Sequence, residues 1–176
     1  MPKAADSPES KSVEVKSLLP ALNAAHEELL RSFDIHCRIT IYLLDNLDPQ
    51  SWRAPTPDGK GRDIASLAAH IHSVHCMWLK AAGAPDLPSA LDKQTVTLPE
   101  AIAALKETAT ALHSLIATSL ASGVRVKNFK PDTNAFFGYL IAHDSHHRGQ
   151  IAMLARQAGF PLSKKANFGL WEWGVR

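Results

Sequence analysis

Cysteine is scarce in this chain: Cys37 and Cys76 are the two among 176 residues. So placed, they form neither a disulfide framework nor a cysteine-type metal pair, which suits a reducing compartment. Long apolar runs are missing too. No stretch approaches the roughly 20 apolar residues a membrane helix needs, and the start has no apolar core of a secretory signal, with Asp6 and Glu9 close behind Lys3. Nor is there an excess of one charge. Nineteen Lys and Arg stand against seventeen Asp and Glu, a formal charge of +2 with no long run of either sign, and so no basic footprint for nucleic acid. Strand-like alternation of convincing length and internal repeats are absent as well. These absences lead us to expect a cytoplasmic protein without membrane or nucleic-acid partners. With 45% hydrophobic residues, its length suits one domain with a sizeable core better than two.

Helical periodicity fills most of what remains. Residues 1–11 are small, polar and proline-containing and read as a disordered tail, leaving 12–176 as a single domain. A first helical pattern runs from about Val13 to Leu47, with Leu18, Leu22, Leu29, Phe33, Ile41 and Leu44 as core candidates and Pro20 as a first turn or kink. A second starts at the cap residue Asp63 and ends near Ala82, its stripe Ile64, Leu67, Ile71, Val74 and Trp78 bordered by His70. A third runs from Pro99 to Ser122. The fourth reaches about Gln157, before Gly159 and Pro161, with an inward stripe of Phe136, Leu140, His143, His147, Ile151 and Leu154. The expected fold is all-α: a four-helix bundle with long loops and a short C-terminal segment.

Histidine is what the chain has in plenty. Six of nine fall in the second and fourth helices, and two occupy inward positions where a packed helix would carry leucine. His143 and His147 are four apart, the spacing at which one helix offers two nitrogens to one metal ion. His72 lies about 200° around the helix from His70, so those two cannot share a site. A bundle that joins the two helices could gather His70, His143 and His147 at one point, leaving coordination positions open for water or substrate, as in catalytic metal sites. Single histidines near apolar faces are more often hydrogen-bonded core residues, and nothing at helical spacing supports His26, His36 or His113. His72, His75 and His146 either line the pocket or face solvent. Gln150, on the side of His143 and His147, is placed to orient a ligand or bound water. Arg148 pairs either with an acidic substrate group or in a helix-surface or interhelical salt bridge. Trp78, like Trp171 and Trp173, packs in the core or covers the pocket.

Residues 64–71 (IASLAAHI), with Trp78 eight positions past His70, and residues 143–151 (HDSHHRGQI) together resemble the DinB-like family, whose hallmark resembles H-x-x-x-H-R-G-Q on the last bundle helix. Residues 169–174 (GLWEWG) resemble the ending of a subset of that family, and the likeness extends from about Leu29 onward. The resemblance implies a divalent metal, Zn²⁺ or Ni²⁺ by the chemistry of three imidazoles, held by His70, His143 and His147. It also implies a homodimer and a metal-dependent transferase that adds a low-molecular-weight thiol, as co-substrate, to an electrophilic small molecule. Two alternatives stand beside it. One is a metal-dependent hydrolase, since residues 143–147 superficially match H-E-x-x-H with Asp144 as base and Glu172 as a distant third ligand. The other is a non-catalytic, stress-related metal-binding protein.

Overall fold

The computed structural model describes residues 22–176. The expected tail over 1–11, and Leu18 and Pro20 of the first helical pattern, lie outside them. Four long helices follow in order: α1 (Ala24–Asp45), α2 (Ile64–Ala82), α3 (Leu98–Ser122) and α4 (Thr133–Gln157). A 3-10 turn (Pro49–Ser51) follows α1, and a short α5 (Lys164–Gly169) follows α4. α2 and α1 pack on α3, and α4 closes against both. The all-helical bundle expected from the sequence is the fold observed.

Local sequence sets the helix ends. Asn23, Asp63, Thr97, Asp132 and Ser163 each accept a backbone N–H of the first turn, a contact worth about 1 kcal/mol apiece. Thr97 and Glu100 complete a reciprocal capping box. Among the described residues α1 therefore begins at Ala24, with Leu22 and Asn23 non-helical. The long pattern read from about Val13 to Leu47 did not single out Asn23, the cap at which α1 starts. Gly83 ends α2 in the left-handed region at φ 86° while its N–H bonds back to the helix, a conformation with no steric cost for glycine alone. α5 and the segment after it lie on α1: the Arg176 guanidinium sits 3.8 Å above the Tyr42 ring, and a Cβ at Gly169 would run into that ring.

The core is divided by height. One apolar cluster holds Leu43, Leu44, Trp52, Ile64, Leu67, Ile71, Leu105 and Ile151. The other holds Leu30, Phe33, Leu79, Leu112, Ile116, Phe136 and Leu140. Between them every long helix contributes buried polar groups: His36 and Thr40 from α1, His75 from α2, Thr108 from α3, Asp144 and His147 from α4. This polar layer shifts two expected stripes. On α4 the buried series is Phe136, Leu140, Asp144, His147, Ile151 and Ala155, with His143 and Leu154 half-buried at its edge. Asp144 takes the inward place because polar partners await it there. On α2 Val74 and Trp78 are half-buried, while His72, His75 and Leu79 are buried, since neighbours enclose this alanine-rich helix on more than one side.

Candidate metal centre

His143 and His147, one turn apart on α4, hold their ring centroids 4.6 Å from each other. α2 sets His70 against both, at 5.4 Å and 4.8 Å. One donor nitrogen from each ring lies within 4.8 Å of the other two. Among the described residues no other group of three histidine, cysteine or acidic side chains has this geometry. A tetrahedral Zn²⁺ with bonds of about 2.0–2.1 Å holds its nitrogen pairs about 3.4 Å apart. Small ring rotations would close that difference.

Hydrogen bonding has already chosen which nitrogens are offered. Nδ1 of His147 lies 2.8 Å from the carbonyl Oε1 of Gln150. An oxygen without a proton can only accept, so Nδ1 carries the hydrogen and Nε2 keeps its lone pair. His143 repeats the pattern, donating from Nδ1 to Oδ1 of Asp144 at 3.0 Å. Burial, then the Arg62 guanidinium and the two neighbouring histidines, push His70 down to about 4. Burial likewise lowers His147 against the opposing hydrogen bond to Gln150. At neutral pH these two imidazoles are uncharged bases. The donor set fits a divalent transition metal.

Behind the triad lies the polar layer. Arg148 donates to Nδ1 of His36 at 3.1 Å, to Thr40 Oγ1 at 2.9 Å and to Ser145 Oγ at 2.6 Å. Its guanidinium thus engages α1 and its own helix through an imidazole nitrogen and two hydroxyls, rather than through the salt bridge weighed from the sequence. With Nδ1 accepting, His36 carries its proton on Nε2 and donates it to Asp144 Oδ2 at 3.2 Å. His75 Nε2 reaches both Asp144 oxygens, at 3.2 Å and 3.1 Å, while its Nδ1 lies 3.0 Å from Thr108 Oγ1. Burial alone would raise the Asp144 carboxyl. The attraction of His75 and the hydrogen bonds from His143, His36 and His75 outweigh it and hold the group well below the usual carboxylate range.

The remaining candidates are dispersed. His72 is buried on the far side of α2 from His70, with Cys76 Sγ 3.6 Å from its Nε2. His146 is exposed, its ring 5.0 Å from that of His147. Trp78 packs edge-on to Phe129, Phe136 and Tyr139, a core position. Trp171 and Trp173 are exposed. Glu172 pairs with Arg176 at 2.8 Å. His113 pairs with Asp34 at 2.8 Å. His36 is wholly buried with both ring nitrogens hydrogen-bonded, the core histidine that the sequence reading preferred for it.

A cleft of about 660 Å³ adjoins the triad through Gln150, with Lys60, Arg62, Leu67, Met153 and Leu154 among its walls. A groove of similar size, about 690 Å³, runs between α1 and α3 past Cys37, Tyr42 and His113. Neither lining includes any of the three clustered histidines, but the first holds Gln150, the hydrogen-bond partner of His147, and so lies nearer the triad's chemistry. No described helix is long and apolar enough to cross a membrane. Comparison with curated proteins and with solved structures returned no match. The family model described as DinB family matches residues 16–164. Most of the chain lies in that match, its four helices form the bundle and its histidines meet inside it: this chain belongs to the DinB family.

Proposed function

We propose that this protein is a metal-dependent transferase that joins a low-molecular-weight thiol to an electrophilic small molecule, with His70, His143 and His147 holding one divalent ion, Zn²⁺ or Ni²⁺. The observation that carries the reading is the convergence of three histidine donor nitrogens within 4.8 Å, two of those rings having Nε2 freed by partners on Nδ1. When bound, such an ion supplies positive charge that favours a thiol as its thiolate.

The chain's own residues have narrower tasks. Gln150 holds the His147 ring by its Nδ1–H, and Asp144 does the same for His143. Leu67, Met153 and Leu154 give the adjoining cleft apolar walls, while Lys60 and Arg62 against Asp58 leave it with a small excess of positive charge, a combination suited to a small molecule with an acidic group. Cys37 and Cys76 are both free thiols, and burial raises both. Neither is set up as a nucleophile in place of an external thiol. The same reading takes the protein to be a cytoplasmic homodimer.

The hydrolase alternative needs Asp144 as an accessible base and Glu172 as a ligand. Asp144 is instead buried under three histidines, and Glu172 is engaged by Arg176. The non-catalytic alternative keeps the metal and drops the chemistry. The test is conjugation of common cellular thiols to a panel of electrophiles by metal-loaded protein. We expect turnover that disappears on chelation and in His70→Ala. Metal-loaded protein that conjugates no thiol across the panel would leave a metal-binding protein without this activity.

A further inference from the structure

The geometry points to Asp144 as a positioning residue of the metal centre, one that fixes the tautomer and orientation of His143 and transmits to it the hold of His36 and His75 on two other helices. This rests on the metal reading above.

Burying a carboxylate is costly unless several donors meet it, and Asp144 is 2% exposed. Both its oxygens are accounted for: Oδ1 faces His143 and His75, and Oδ2 faces His36 and His75. The donors are held in turn. Arg148 grips His36 from its other nitrogen, and Thr108 meets His75 from its own. Turning the carboxyl would break contacts to α1 and α2 together, so Asp144 has one orientation. In that orientation it allows His143 one tautomer, with the hydrogen on Nδ1 and the lone pair on Nε2.

An apolar side chain between the two hydrophobic clusters would fill the same volume without a buried charge. What only a carboxylate provides is its effect on His143. It sets an anion against the imidazole, which makes the other nitrogen a stronger donor, and it adds negative charge beside three neutral ligands. Both changes favour a divalent cation. α1, which contributes none of the three histidines, thereby acts on the site through His36.

The test uses the full chain without a histidine tag, its histidines labelled with ¹⁵N. Long-range ¹H–¹⁵N spectra of metal-free protein read the tautomer of His143. Competition with a chromophoric chelator reads the affinity for Zn²⁺ in wild type, Asp144→Asn and His75→Gln. We expect wild-type His143 protonated on Nδ1, Zn²⁺ binding about 10–100-fold weaker in Asp144→Asn, and a smaller loss in His75→Gln. Should Asp144→Asn fail to fold, the wild-type tautomer decides. His143 protonated on Nε2 in wild type overturns the proposal, as does an Asp144→Asn protein that binds Zn²⁺ like wild type, whatever its stability. Wild type that takes up no Zn²⁺ overturns the metal reading as well, whereas loss confined to the variants' tautomer and affinity supports the proposal independently of any thiol chemistry.

Discussion

His70, His143 and His147 aim ring nitrogens at one another beside a cleft, whereas His36 and His75 are sealed inside the bundle and aim theirs at a carboxylate. Both groups use the same side chain, and α2 contributes to both. The partner of the second ring nitrogen separates them. In the triad, acceptors on Nδ1 of His143 and His147 leave Nε2 bare. In the inner group Nε2 is already committed to Asp144. His143 and His147 are thus set up as ligands by having one nitrogen satisfied by the protein and the other free.

Breaking each group in turn sharpens this contrast. His147→Ala removes a ligand, and we expect a loss of Zn²⁺ affinity beyond the about 10–100-fold typical of outer partners, with a cost to the metal-free chain of about 0.5–3 kcal/mol for emptying a buried position. Calorimetric titration and urea unfolding check the two halves. Asp144→Ala leaves His36 and His75 unpaired in the interior and is expected to cost about 3–5 kcal/mol of folding stability, read by urea unfolding of metal-free protein. Gln150→Leu takes the acceptor from His147 Nδ1 while leaving the buried layer intact. It should weaken Zn²⁺ at the low end of the outer-partner range, about tenfold, at nearly unchanged stability. His146→Ala lies outside both groups and should stay within about 0.5 kcal/mol of wild type, with the same affinity.

Acid should act on both groups, in different windows. His70, His36 and His147 all have their pKa lowered by folding. The unfolded chain therefore takes up protons first, near the ordinary value of 6.5. The stability these groups contribute is complete above that pH and declines as pH falls toward about 4, where folded His70 titrates. Asp144, also lowered, keeps its contribution to more acid pH and begins to lose it only below its ordinary value of 3.8. Urea midpoints of metal-free protein should rise with pH from about 4 to 6.5 and then level off. His70→Phe should flatten that rise, and an unchanged slope in this variant would count against a neutral His70.

The bundle was legible from helical periodicity and end signals, because Asp63 and Pro99 act locally and leave local marks. The triad was legible because an i,i+4 pair on one helix fixes its own geometry, and a third histidine on a facing helix completes it. The polar layer was not. Asp144 entered the sequence reading only as the base of an H-E-x-x-H-like match, and its burial depends on donors 108 and 69 positions away in sequence. Spacing along one helix carries no record of such a meeting. The start of α1 was missed for the opposite reason, a local cap at Asn23 outweighed by an apparent long pattern.

Metal content per chain, measured by mass spectrometry on tag-free protein after reconstitution and desalting, tests the central claim most directly. One equivalent of divalent metal in wild type and close to none in folded His70→Ala is the predicted result. A metal-free wild type, or a His70→Ala protein that retains a full equivalent, would contradict it.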